Sequence, residues 1–193
     1  MTRILAGRSK GRRLRMPNGL ATRPTGARVR QTLFDILAPR IPGCRFLDLF
    51  AGGGGIGLEA LSRGAARVVL IDVDAKAVAV LRENAPLVAG SSGGEVLVQR
   101  QDARVALPAL AASGARFDIV YLDPPYASAL YEEALGEIAG GPLLAEGGVV
   151  VVEHFKKRVL AERMGTLARI RQVRVGDHTL SFYVRQDASQ EDA

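Results

Sequence analysis

Two short segments carry residue types able to do chemistry. The first, Asp48-Leu49-Phe50-Ala51-Gly52-Gly53-Gly54-Gly55-Ile56-Gly57, contains Gly52-x-Gly54-x-x-Gly57. Glycines at that spacing permit a tight turn and let a ligand approach backbone N–H groups where a helix begins. Asp72 stands 18 residues past Gly54, where a carboxylate accepts hydrogen bonds from both hydroxyls of a ribose. Asp102 follows the next apolar run, within reach of an adenine. Nicotinamide and flavin enzymes share this spacing, and Asp48 separates the cases. Beside a bound diphosphate its carboxylate would be repelled; beside a sulfonium and its α-amino group it is attracted. S-adenosylmethionine therefore fits better than a dinucleotide. The other reading of Asp48 is an acid that caps a tight turn.

The second segment is Asp123-Pro124-Pro125-Tyr126. An amino group conjugated to a nucleobase is a poor nucleophile. Its attack on a methyl sulfonium needs the nitrogen held in line, with its hydrogens accepted by oxygens as charge develops. The Asp123 carboxylate and the Pro124 carbonyl are such acceptors. Two prolines stiffen the segment, and Tyr126 offers a ring on which a flipped base can stack. The plainer reading is a proline turn that ends a strand.

These segments need strands to present them. Arg45–Phe50, Val68–Ile71, Val96–Val98, Phe117–Leu122 and Gly148–Val152 read as five short buried strands. Helical patterns separate them: through Leu58, Ala60 and Leu61, over 75–85 behind a capping Asp74, near 103–112, and over 131–138. Gly90–Gly94 reads as a loop. Alternation of this kind implies right-handed βαβ units around a mostly parallel sheet, with ligands at the carboxyl ends of its strands. Arg169–Val175 and Thr179–Val184 alternate in period two around Gly176-Asp177, an antiparallel hairpin closing one edge and bringing the sheet to seven strands. Upstream, Val29, Leu33, Ile36 and Leu37 mark a helix from Ala27. Arg28 and Arg30 lie about 200° apart on it, so one of the two faces a given ligand.

Charge is uneven along the 193 residues. Net charge is +6, yet residues 1–30 hold nine basic residues and no acid, which leaves 17 basic against 20 acidic in the remainder. A local basic excess suits a polyanion, with Arg12, Arg13, Arg15, Arg23, Arg28 and Arg30 as candidate phosphate contacts. Arginine outnumbers lysine 22 to 4, which favours bidentate contacts, although a GC-rich genome produces the same bias. One cysteine, Cys44, excludes an internal disulfide and reads as a small core residue. No run approaches the roughly 20 apolar residues of a membrane span, and no secretory leader opens the chain, so a cytoplasmic protein is expected. His154 and His178 are the only histidines. No metal site is expected from them, and His154 reads as a satisfied structural residue. Lys156-Lys157-Arg158 reads as a solvated turn.

Taken together, Asp48–Gly57, Asp72, Asp102 and Asp123-Pro124-Pro125-Tyr126 resemble the class I S-adenosylmethionine-dependent methyltransferases that modify exocyclic amino groups. More narrowly, Arg3-Ile4-x-Ala6-Gly7, Arg23-Pro24-Thr25, Arg28-Val29-Arg30-x-Thr32-Leu33-Phe34 and Gly57-Leu58-Glu59-Ala60-Leu61-Ser62-Arg63-Gly64-Ala65 resemble the bacterial 16S rRNA (guanine(966)-N2) methyltransferases, from Arg3 to about Val184. The resemblance implies a Rossmann-like class I fold. It also implies methylation of the N2 of one guanine in small-subunit rRNA, on an assembled or assembling particle. A small amino-terminal extension, to about Pro17, would help to hold RNA. Residues 1–22 are then a basic arm or hairpin, 23–186 the methyltransferase domain and 187–193 a disordered tail. The chain departs from that family at Ala27, Gln31 and Gly53-Gly54-Gly55, where Asp, Glu and Ser-Gly-Ala are frequent. Asp/Asn-Pro-Pro-Tyr loops also serve adenine-N6 and protein-glutamine methylation. A dinucleotide-dependent oxidoreductase would leave the basic arm unexplained, and an RNA-binding assembly factor on a degenerate fold would not need the site residues. Oligomeric state is open.

Overall fold

Apolar runs bounded by glycine and aspartate form the parallel strands of the fold. A computed structural model describes residues 2–17, 26–125 and 128–186. The expectations for Arg23, Tyr126 and the 187–193 tail lie outside the described residues. Residues 1–102 and 103–193 form two compact units.

In the first unit, β1 (Thr2–Arg3) pairs antiparallel with β2 (Arg13–Leu14). This is a short hairpin that buries Ile4 and Leu14. Helix α1 (Ala27–Leu37) buries Val29, Leu33, Phe34 and Leu37, together with Arg30. Then come β3 (Arg45–Asp48), α2 (Gly57–Ser62), β4 (Arg67–Asp72), α3 (Ala75–Ser92) and β5 (Glu95–Arg100). The strands run in the order β5-β4-β3, all parallel, with Asp48 opposite Leu70 and Asp72 opposite Arg100. Two acids therefore stand at the carboxyl ends of neighbouring strands.

Helix α3 outruns its expected end and absorbs Gly90, so the loop forecast for 90–94 shrinks to Gly93-Gly94. Its apolar stripe, Leu81, Ala85 and Val88, passes straight across Pro86 and keeps the helix packed despite the missing N–H. The hairpin arm holds its last turn: Arg8 Nη1 donates to Ser92 O at 2.7 Å. Gly93, at φ 74°, ends the helix in a left-handed turn. Asp74 caps the start as expected, accepting from the N–H groups of Lys76 and Ala77.

The second unit comprises α4 (Ala103–Ala112), β6 (Phe117–Leu122), α5 (Leu130–Gly140), β7 (Leu144–Phe155), β8 (Arg163–Met164), β9 (Leu167–Val175) and β10 (His178–Arg185). Strand order is β6-β7-β10-β9-β8. β6 and β7 are parallel, and the forecast hairpin β9–β10 is antiparallel, with the two-residue β8 beyond it. The architecture is thus α/β, with parallel strands leading into an antiparallel edge.

β7 is longer at both ends than its apolar run. A register shift between Phe117 and Ile119, opposite Gly147 at φ 67°, hides its beginning. Polar Glu153 and His154 hide its end, although both are buried and bonded inside the sheet.

Candidate functional site

In the first unit the glycine loop connects β3 to α2. Asp48 is buried, and its Oδ2 accepts the Gly57 N–H at 2.9 Å, so this carboxylate does cap the turn. That use leaves its negative charge at the strand tip. Asp72 ties the other side of the loop: Oδ2 accepts from Gly52 N–H at 2.8 Å and Oδ1 from Asp74 N–H at 2.9 Å. Each carboxylate oxygen has a second lone pair, so a half-buried Asp72 can still receive two hydroxyls. The half-buried Asp102 stands two residues past β5, and Gln101 N–H donates to Asp72 O at 3.1 Å, drawing those strand ends together.

Two glycines of the loop are required for different reasons. Gly52 has φ 52°, with open space where a Cβ would stand, which is the room a ligand needs to approach the backbone. At Gly57 a Cβ would lie 2.2 Å from Leu70 Cδ2, so its absence lets α2 pack onto β4. Of the two readings of Asp48, the turn cap is the one its bond to the Gly57 N–H shows.

A further residue holds this loop. Asn84, fully buried on α3, donates to Gly53 O at 3.0 Å and Arg15 O at 2.9 Å, and accepts from Arg15 N–H at 2.9 Å. One amide thereby joins the basic arm to the glycine loop. An asparagine amid the Leu81–Val88 stripe was its only signal in the sequence.

The basic arm is docked. Glu59, on α2, accepts from Leu5 N–H at 2.6 Å and Ala6 N–H at 2.9 Å. Ser62 Oγ donates to Ala6 O at 2.7 Å and accepts from Ser9 N–H at 3.0 Å. Arg12, Arg13, Arg15 and Arg28 are exposed, and Arg15 pairs with Glu83 at 2.5 Å. Arg30 is 4% exposed and its Nη1 reaches Gly55 O at 3.4 Å. Of the two helical arginines, Arg28 faces solvent and Arg30 faces the loop.

In the second unit, Asp123 is half-buried just past β6, and Pro124 is buried. Tyr131 Oη donates to Pro124 O at 3.0 Å. Ser128 N–H donates to Pro125 O at 3.0 Å, and Ser128 Oγ accepts from Leu130 N–H at the start of α5. The expected solvated turn at 156–158 needs correcting at two residues. Lys156 pairs with Asp177, and the Arg158 guanidinium lies 4.1 Å above the Tyr131 ring. The aromatic face and the carbonyl of Ser128 replace water around that cation.

His154 is the satisfied residue the sequence predicts. Nδ1 is 3.1 Å from Phe155 O and Nε2 2.9 Å from Ser181 Oγ. Burial, seconded by nearby Arg158 and Arg169, pushes its pKa below the usual 6.5. The unfolded chain then binds the extra proton first. Stability from this residue is complete above about pH 6.5 and falls as the pH drops below it. Melting temperatures taken from pH 7.5 to 5.5 should decline more steeply for the wild type than for His154→Gln; parallel curves would refute this.

The family described as Conserved hypothetical protein 95 matches residues 2–184 of the chain. Ribosomal RNA small subunit methyltransferase D of Escherichia coli strain K12 is 35% identical over 191 residues, spanning 99% of this chain and 93% of that protein. The solved structure of yhhF from Escherichia coli superposes with a TM-score of 0.82 at 33% identity, covering 96% of this chain and 98% of that one. SMU.776, solved in complex with SAH, superposes at a TM-score of 0.64 over 82% of this chain and 49% of that one. At 13% identity it shares the fold alone.

Proposed function

The chain belongs to the Conserved hypothetical protein 95 family, and we propose that it transfers a methyl group from S-adenosylmethionine to the N2 amino group of a guanine in 16S rRNA of the small ribosomal subunit. Asp48 and Asp72 ending adjacent parallel strands, with Asp102 just past the third, around a loop open at Gly52, is the observation that carries this reading. A region so acidic disfavours a diphosphate and favours a cationic donor. Carboxylates at these strand ends are the acceptor set such a cofactor needs: in this reading Asp72 takes the ribose hydroxyls, Asp102 the adenine, and Asp48 the charged amino acid end. S-adenosylmethionine, when bound, supplies an electrophilic methyl group.

The chain's own residues do the rest. The Asp123 carboxylate and Pro124 carbonyl accept the hydrogens of the substrate amine, so that its lone pair is released from the base toward the donor. Tyr126 stacks the guanine. The substrate assignment draws on the small-subunit rRNA activity named for the Escherichia coli relative and on the exposed arginines of the arm. In this reading the arm holds the RNA, on an assembled or assembling small-subunit particle.

Calorimetry tests the cofactor: S-adenosylhomocysteine should bind and a nicotinamide dinucleotide should not. The reverse would make the protein a dinucleotide enzyme. For the arm, Arg12→Gln, Arg13→Gln and Arg15→Gln combined should reduce the slope of log Kd against log salt by about 0.7 per lost phosphate contact on single-stranded RNA. Because Arg15 already pairs with Glu83, a reduction nearer two contacts than three is expected, and an unchanged slope would contradict an electrostatic arm.

A further inference from the structure

The proposed reaction leaves Tyr131 and Arg158 without a role, yet both are built against the segment that receives the amine. Tyr131 is fully buried on the first turn of α5. Helical side chains lean toward the amino terminus of their helix, so this phenol reaches back over the chain preceding α5. Its O–H meets Pro124 O at 3.0 Å. A carbonyl oxygen has two lone pairs. The phenol takes one, and the same oxygen keeps a second acceptor position.

Arg158, from the turn after β7, secures this arrangement at three points. Its guanidinium stacks 4.1 Å from the centre of the Tyr131 ring. Nη2 donates to Ser128 O at 3.1 Å, and to Glu132 Oε1 and Oε2 at 2.9 and 2.7 Å. Tyr131, Glu132 and Ser128 are thereby held by one planar cation, and Ser128 is itself bonded to Pro125 O. A surface pair alone would contribute little. Here the aromatic stack and the carbonyl bond fix where the cation sits, and the cation fixes the ring.

We propose that Tyr131 is a positioning residue for methyl transfer, aiming the Pro124 carbonyl at the substrate amine, and that Arg158 holds Tyr131 in register. This rests on the reading of Asp123 and Pro124 given above. Tyr131→Phe keeps the ring and its stacking and removes only the O–H. It therefore acts on the transition state rather than on binding, and lowers kcat with KM little changed. Misplacement of a single acceptor corresponds to a loss of about tenfold to a hundredfold in rate. Arg158→Lys keeps the charge but not the planar stack on the ring, and lowers kcat in the same direction.

The test uses the full chain and undermethylated small ribosomal subunits. It measures single-turnover transfer from tritiated S-adenosylmethionine, together with S-adenosylhomocysteine affinity, RNA affinity and melting temperature. Slower transfer in Tyr131→Phe, with both affinities and the melting temperature near wild type, supports the proposal. Should that variant melt early, slowed transfer by a folded Arg158→Lys with unchanged affinities supports it equally. Wild-type rates in both variants overturn it, as does a rate loss matched by an equal loss of RNA affinity. A wild-type chain that methylates no RNA defeats the functional reading itself, and the inference with it.

Discussion

Asp123→Ala should slow methyl transfer by roughly a hundredfold to ten-thousandfold while leaving S-adenosylhomocysteine affinity at its wild-type value. The carboxylate sits at the end of β6, a strand whose last residues, Val120 to Leu122, are fully buried. Its contribution comes when the amine develops positive charge, which occurs only on the way to the transition state. The loss therefore appears in kcat and in kcat/KM alike, with RNA binding preserved. Asp123→Asn retains one acceptor oxygen without the charge and should fall between alanine and wild type. Single-turnover measurements at saturating cofactor provide the check. Alanine activity within threefold of wild type, or loss of cofactor binding in parallel, would remove Asp123 from the chemistry.

A second large effect is expected from Glu59→Ala, on α2 of the first unit. This side chain is completely buried on α2 and receives Leu5 N–H, Ala6 N–H and Arg63 Nε at 2.6, 2.9 and 2.7 Å. Alanine would strand two backbone donors and leave the Arg63 cation, stacked 4.7 Å from the Phe34 ring, without its counter-ion. Breaking a buried charge pair costs about 3–5 kcal/mol, which corresponds to a fall of very roughly 6–20 °C in melting temperature for a chain of this size. The arm should also loosen, so trypsin should cut at Arg8, Lys10 or Arg12 well before the wild type is cut. Glu59→Gln keeps one acceptor and should lose less. Urea unfolding and a proteolysis time course measure both effects; a variant within about 1 kcal/mol of wild type, with its arm still protected, would contradict the assigned docking.

The sequence was most informative where chemistry is local. Strand tips ending in aspartate, the glycine turn, the Asp74 cap and the Gly176-Asp177 hairpin each follow from a few consecutive residues, and they stand where the pattern puts them. It was least informative where a side chain answers to a distant element. Glu59 and Ser62 were part of a recognisable motif, but nothing in their spacing shows that they receive the arm. Arg158 reads as solvated in a run of three cations, because its partner ring is 27 positions upstream. Arg30 belongs to a basic segment by count, yet α1 turns it inward toward Gly55 while Arg28 stays outside. Polar residues inside β7 concealed its length for the same reason: Glu153 meets Tyr121 and His178, and His154 meets Ser181, from strands on either side.

Tritiated S-adenosylmethionine, small ribosomal subunits from cells lacking this protein, and nucleoside analysis of the recovered RNA together form the most direct test of the enzyme assignment. Label eluting as N2-methylguanosine from a single position of 16S rRNA is the predicted result. Label in N6-methyladenosine or in protein, or none in the RNA at all, would contradict it.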